Sequence, residues 1–321
     1  MKRRDFLKAT AAGAAVTAGM HLGAGAAEGG LVPRRPYGKT GEQLSVIGFG
    51  GIVVKDVDQA TADRVVADSV ARGVNYFDVA PAYGDAEVQL GPALAPYRKD
   101  CFLACKTAER TREKAEADFA RSCERLRTDY FDLYQLHAIT DVEKDVDTVF
   151  QAGGVMDMIL EKKKAGQIRY VGFSAHSLKA ARTALDRYAF DSVLMPVNYA
   201  AFMKEGWGPQ IFELAEEKGC AVLALKAMAK QRWGEGSSVT RGEFPKCWYE
   251  PMATREEAAM GLRWTLAQPV VSAVPPGSEK LYRLALDIAA ESIKLSEAEN
   301  VKLAALAEEA DALFPVVEGD A

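Results

Sequence analysis

The chain has 321 residues, enough for one large domain or two ordinary ones, and a hydrophobic fraction of 49% supplies a full core. A formal charge of -5, with acids and bases interspersed and no long basic run, excludes nucleic acid as the main partner. The five cysteines (Cys101, Cys105, Cys123, Cys220 and Cys247) are too scattered for a disulfide framework, and their odd number leaves at least one thiol free. Cys101 and Cys105 fall on one face of a single predicted strand and read as buried structural thiols, so no metal-ligand cluster is expected.

At the N-terminus Arg3 and Arg4 precede Phe6, Leu7 and Lys8, and an uncharged Ala/Gly-rich run closes on Ala24, Gly25 and Ala26. This pattern resembles a twin-arginine export signal over residues 1–26, with cleavage after Ala26. The alternative is a retained membrane anchor, which a run so thin in Leu, Ile and Phe suits poorly. The resemblance implies passage through the twin-arginine export machinery and a periplasmic or otherwise exported mature chain, residues 27–321, with no stable membrane insertion. It also implies folding before export, as for proteins loaded with a cofactor in the cytoplasm.

From Arg35 onward one unit recurs: a short apolar run, a polar loop, then a segment of helical periodicity. The apolar runs fall at residues 45–49, 75–78, 102–106, 131–137, 170–174, 193–198, 221–226 and 270–275. The helical segments fall at 59–72, 86–94, 111–126, 149–165, 178–188, 209–218, 254–267 and 280–289, and Gly73, Gly166 and Gly219 stand just before the next strand as helix stops. Eight alternations with continuous apolar strands predict parallel strands covered by helices, an α/β fold of the (β/α)8 TIM-barrel type. A long aromatic-bearing connection at 229–251 reads as a cover for a site. An additional C-terminal helix is expected at 296–313, with Ser296 and Glu299 as a capping box.

The stretch NYFDVAPAYG, residues 75–84, places a carboxylate at Asp78 and a phenol at Tyr83 around the C-terminal end of the second strand. Two later strands end in Lys106 and His137. In such a barrel, catalytic residues stand at the C-terminal ends of different strands. Carbonyl reduction leaves negative charge on oxygen and needs a proton donor and stabilising dipoles. Tyr83 can hold the proton at neutral pH, Lys106 can make it a better acid, Asp78 can keep Lys106 charged, and His137 can orient the substrate oxygen. Taken singly, each residue has an ordinary structural role; it is their joint placement that points to chemistry.

With these residues in place, the sequence resembles the aldo/keto reductase superfamily from Tyr37 to about Pro275. NYFDVAPAYG carries the specific part of the match, and the triplet Gly48-Phe49-Gly50 a weaker part. The resemblance implies reduction of a small-molecule aldehyde or ketone with NADPH, bound without a Rossmann domain, and places the catalytic Asp, Tyr, Lys and His on Asp78, Tyr83, Lys106 and His137. It places cofactor contacts at Gly50, Ser174, Lys226, Gly277, Ser278 and Lys280, with Pro276-Gly277-Ser278 as the phosphate-binding turn. Arg283 is a further candidate for a 2'-phosphate.

Three positions depart from the family pattern: Ala175 stands for the asparagine beside Ser174, Pro196 for a glutamine, and Leu225-Lys226 for an aromatic-Ser pair. They leave open a second reading, an exported binding protein that keeps the barrel and its pocket without nicotinamide turnover. Tyr199, Phe202, Trp207, Trp233 and Trp248 suggest an aromatic rim to the pocket.

Overall fold

The computed structural model describes residues 30–315; the twin-arginine segment lies outside the described residues. A short hairpin, β1 (Arg34–Pro36) and β2 (Gln43–Ser45), precedes the repeating units. These run β3 (Phe49–Gly50), α1 (Gln59–Ala71), β4 (Tyr76–Asp78), α2 (Ala86–Leu94), β5 (Phe102–Thr107), α3 (Arg112–Leu126), β6 (Phe131–Ile139) and α4 (Val155–Lys164). They continue with β7 (Ile168–Ala175), α5 (Leu178–Arg187), β8 (Ser192–Pro196), the short α6 (Tyr199–Met203), α7 (Pro209–Lys218) and β9 (Ala221–Leu225). A second hairpin, β10 (Ala229–Gln231) with β11 (Glu250–Pro251), leads to α8 (Arg255–Ala267), β12 (Ser272–Val274), α9 (Glu279–Glu291) and α10 (Glu297–Glu309).

Strands β3 to β9 and β12 pair in parallel, each with its neighbour in chain order, as eight apolar runs require. The first and last strands meet as well: Gly48 N–H donates to Ala273 O, and Ala273 N–H to Val46 O, both at 2.9 Å. The sheet thus curls into an α/β (β/α)8 barrel, the expected fold.

Alternation along the strands fixes what fills the barrel. Tyr37, Leu44, Tyr76, Phe102, Ala104, Leu133, Leu194 and Leu223 form a separate apolar cluster that plugs the N-terminal half. The Tyr37 hydroxyl donates to Ser192 Oγ at 2.8 Å and the Tyr76 hydroxyl to Asp78 Oδ2 at 3.1 Å, so both phenols of the plug are satisfied. Two residues further along the same strand faces come Asp78 after Tyr76, Lys106 after Ala104, and Gln135 then His137 after Leu133. The polar layer therefore sits directly on the apolar one, at the C-terminal mouth.

The structure differs from the periodicity in places with clear causes. The helix expected at 149–165 begins only at Val155, because Gly153 takes a φ of 73° and Gly154 opens the new helix, while residues 142–147 form a separate π-helical turn. Helix α10 starts at Glu297 under the expected Ser296–Glu299 capping box and ends at Glu309 rather than at 313. It packs against α6 and α8, with Arg263 paired to Glu299 at 2.6 Å. No described helix is long and apolar enough to cross a membrane.

Helices α2 and α3 follow the strands that deliver Asp78 and Lys106, and they touch at Gly91. A Cβ there would stand 2.0 Å from the Arg125 carbonyl oxygen. Gly91→Ala is expected to destabilise the fold by about 2 kcal/mol or more, through overpacking against backbone that cannot turn aside. Urea denaturation measures it, and a cost near zero would mean the helices separate freely.

Candidate active site

At the mouth of the barrel the Lys106 ammonium is fully buried and in direct contact with Asp78 Oδ1. Its other neighbours are Val79 O at 3.3 Å and the Tyr83 hydroxyl at 3.5 Å, the latter at the long limit for a hydrogen bond. The second Asp78 oxygen accepts from the Tyr76 hydroxyl and from Gln135 Nε2, each at 3.1 Å. Three groups thus share one carboxylate, which a buried charge requires. Burial alone would push the Lys106 ammonium down, but Asp78 and Tyr83 outweigh it and the group is held above its ordinary value. Lys106 is therefore a permanent cation.

Tyr83 stands on the turn after β4, its ring edge-on to His137 at 5.7 Å between centroids and 5.1 Å from the Lys106 nitrogen. Burial raises its pKa, and Lys106 only partly offsets this against the opposing charge of Asp78. Lys106 acts on Tyr83 in the expected direction, toward a better acid, but in the resting protein burial outweighs it. The lysine limits a shift that burial would make larger, and the hydroxyl keeps its proton.

His137 owes its aim to an irregularity. The β6–β7 register shifts between Leu136 and Ile139, and Ala138 takes a left-handed φ of 54°. Two bonds pin this bulge: Arg110 Nη2 donates to His137 O at 2.8 Å, and Ala138 N–H donates to Ser174 Oγ at 2.7 Å. Neither ring nitrogen of His137 has a hydrogen-bond partner among the described residues. Burial, then Lys106, His176 and Arg110, push its pKa down to about 3, so the ring is neutral.

Asp78, Tyr83, Lys106 and His137 line one cavity of about 350 Å³, together with Gly50, Ser174, Lys226 and Gly277. The other two expected cofactor positions are not on its wall. Ser278 caps α9 without a side-chain bond, and Lys280 lies 5.8 Å from the Phe244 ring. Arg283 is paired with Asp68 at 2.7 Å and Glu279 at 2.8 Å, which removes it as a free cation.

The far wall comes from late segments of the chain. Lys246, Trp248 and Tyr249, from the long connection after β9, and Phe314, beyond α10, complete it. Lys246 donates to Val53 O at 3.1 Å and to Lys55 O, tying that connection across to the turn after β3. The aromatic rim is smaller than expected, because of the five aromatics proposed only Trp248 lines the cavity. Tyr199, Phe202 and Trp207 are buried in the core beside α6, and Trp233 donates its indole N–H to Cys247 O at 3.0 Å.

Besides Lys246, Tyr249 and Phe314, sequence reading missed Tyr76, Gln135 and His176. Tyr76 and Gln135 share the inward face with Asp78 and His137, a period-two pattern that could have found them. His176, two past Ser174, lines the cavity and stacks on Phe314 at 5.6 Å with 7° between planes, leaving its Nδ1 without a partner. Only the fold of the C-terminal tail makes that contact.

The sequence profile of the aldo/keto reductase family matches residues 46–238. The chain belongs to the aldo/keto reductase family. It is 26% identical over 300 residues to the uncharacterized oxidoreductase YqkF of Bacillus subtilis, covering 84% of this chain and 94% of that one. It is 28% identical over 318 residues to the aldo-keto reductase str7 of Strobilurus tenacellus, covering 88% and 90%. Among solved structures, the holo form of aldo-keto reductase AKR11C1 from Bacillus halodurans superposes with a TM-score of 0.67 at 24% identity, over 90% of this chain and 99% of that one. The protein is an oxidoreductase of this family, and the family match ends near residue 238, before the segments that supply Lys246, Trp248, Tyr249 and Phe314.

Two stability measurements test this aldo/keto reductase site. Lys106→Met strands a buried carboxylate and is expected to cost about 3–5 kcal/mol in chemical denaturation, part of which the double variant with Asp78→Asn recovers. Additive losses would show that the pair is not coupled.

The second concerns pH. His137 and His176 titrate at about 3 and about 4 when folded, below the ordinary 6.5, in both cases chiefly through burial. The unfolded chain therefore takes up protons that the folded one refuses. Their contribution to stability is complete above about pH 7 and falls as pH drops through 6.5 toward the folded values. Urea midpoints between about pH 7 and pH 5 should fall, and fall less in His176→Gln; identical slopes would remove His176 from this account.

Proposed function

We propose that the protein reduces the carbonyl group of a small aldehyde or ketone to an alcohol, with NADPH as hydride donor and Tyr83 as general acid. The observation that carries this reading is the convergence of a protonated phenol, a permanent cation and a neutral imidazole with free nitrogens on one cavity.

A substrate oxygen held between the Tyr83 hydroxyl and a His137 N–H meets two neutral donors. As negative charge develops on that oxygen, the Tyr83 proton moves to it and the phenolate left behind faces the Lys106 ammonium. Asp78 keeps Lys106 charged throughout. Its own oxygens are saturated by Lys106, Tyr76 and Gln135, so it does not compete for the substrate.

The wall chemistry fits a dinucleotide. Lys226 has no acidic partner among the described residues, and α9 begins at Ser278 without a side-chain cap, which suits phosphate. The faces of Trp248 and Tyr249 suit a planar ring. When bound, the cofactor supplies the hydride. We assign its contacts to Gly50, Ser174, Lys226, Gly277, Ser278 and Lys280. The complete catalytic set and the relatives named as oxidoreductases do not favour a purely binding role. We further propose that the protein works outside the cytoplasm, on the strength of the twin-arginine pattern at residues 1–26.

Steady-state NADPH oxidation with a panel of aldehydes and quinones tests the reading. Turnover is expected in the wild type, with kcat reduced about a thousandfold in Tyr83→Phe. Absence of turnover with either nicotinamide, or an undiminished Tyr83→Phe, would overturn it.

A further inference from the structure

Three lysine amines line the cavity, and two of them are committed. Lys106 is bound to Asp78, and Lys246 donates to two backbone carbonyls. The third, Lys226, makes no side-chain hydrogen bond and no ion pair among the described residues. Its nitrogen instead lies 5.1 Å from the Trp248 ring and 4.9 Å from the Tyr249 ring.

The backbone holds it there under strain. Lys226 follows the end of β9 with φ at 68°, a left-handed conformation that a side-chain-bearing residue adopts at a cost of about 1–3 kcal/mol. Its carbonyl is fixed by Asn198 Nδ2 at 3.2 Å and Ala229 N–H at 3.0 Å. Strain retained at a cavity wall makes this position a candidate for function.

The ionisable groups around this amine supply no full counter-charge to it at pH 7. Cys247 is pushed up to about 11 and Tyr249 well above its ordinary value, both by burial, and His176 is pushed down to about 4, so all three are neutral at pH 7. Burial accordingly lowers Lys226 itself to about 8. A desolvated lysine without a counter-ion gives up its proton more readily, and its neutral form is a nucleophile toward carbonyl carbon.

We propose that Lys226 is a covalent aldehyde-binding site: in the cofactor-free protein its Nζ condenses with an aromatic aldehyde admitted to the cavity, forming a reversible imine. The nitrogen lone pair attacks the carbonyl carbon to give a carbinolamine. The carbonyl oxygen then leaves as water with the two protons that the nitrogen gives up, and a C=N bond replaces C=O. One water is released and no oxidant or reductant is consumed. Aromatic aldehydes are the favoured class because Trp248 and Tyr249 flank the nitrogen and Phe314 lines the same cavity.

Imine formation at Lys226 does not use the Tyr83 proton or a hydride donor, so trapping in the cofactor-free protein tests it apart from the reductase reading of the same cavity. Full-length protein without added cofactor is treated with benzaldehyde and cyanoborohydride at about pH 7, and the benzyl groups fixed on each lysine are mapped by peptide mass spectrometry. Labelling of Lys226 is expected to exceed that of the exposed Lys39 and Lys99 by about tenfold or more in the same digest, reflecting its larger neutral fraction. Lys226→Arg, which keeps a cation between the rings, should lose that label. Tyr83→Phe should keep it, even though the same change removes reductase turnover. Labelling of Lys226 no faster than Lys39 and Lys99, or benzaldehyde binding that leaves no trapped adduct there, would overturn the proposal. The comparison within the wild-type digest holds even if Lys226→Arg fails to fold.

Discussion

Everything at the mouth of this barrel follows from one contact, the buried ion pair between Lys106 and Asp78. A full positive charge with no exposure to water survives only beside a fixed negative one, and the carboxylate survives only if its remaining lone pairs are met. Tyr76 and Gln135 meet them, from strands on either side of Lys106. Three adjacent strands are thereby locked in register by charge as well as by the backbone ladder. What remains of the ammonium's field is directed at the one neighbour that can use it, the Tyr83 phenol.

Strand alternation made much of this legible in advance. Eight apolar runs and their intervening helices are visible as periodicity, and Asp78, Lys106 and His137 announce themselves as polar residues closing apolar strands. Tyr83 follows from the turn that Pro81 and Gly84 create. What was not legible shares a single physical cause: it depends on contacts between segments far apart in sequence. The stacking of Phe314 on His176 joins positions 138 apart, and the tie from Lys246 to Val53 spans most of the barrel. The aromatic residues near 200 were misplaced for the same reason, since their side-chain chemistry says nothing about whether the core or the cavity will claim them. The sense of the Tyr83 shift was out of reach too, because it turns on depth of burial rather than on the identity of the neighbours.

The cavity divides by origin. The wall that carries Asp78, Tyr83, Lys106 and His137 comes from β4 to β6 and the turn after β4, inside the stretch shared with the family profile. Its opposite wall comes largely from the connection after β9 and from the tail beyond α10, both of which rest on tertiary anchors. Lys204 Nζ donates to Glu308 O at 3.1 Å and to Ala310 O at 2.7 Å, and Asp311 O accepts from Arg232 N–H at 3.0 Å, so the tail is tied down just before Phe314. The division separates the buried polar set at the strand ends from the largely aromatic wall that faces it. Either can change in composition while the other is left intact.

The hydroxyl of Ser174 has a consequence for how this molecule tolerates change. By receiving the amide of Ala138 it stabilises the left-handed residue that points His137 inward, while its own position on the cavity wall makes it a natural ligand contact. One oxygen thus serves two masters. A substitution at position 174 that alters the cavity wall also disturbs the aim of the imidazole next door. Ala175 and His176 share that burden, since Ala175 pairs with Ile139 across the bulge and the His176 amide donates to Ile139 O at 3.0 Å.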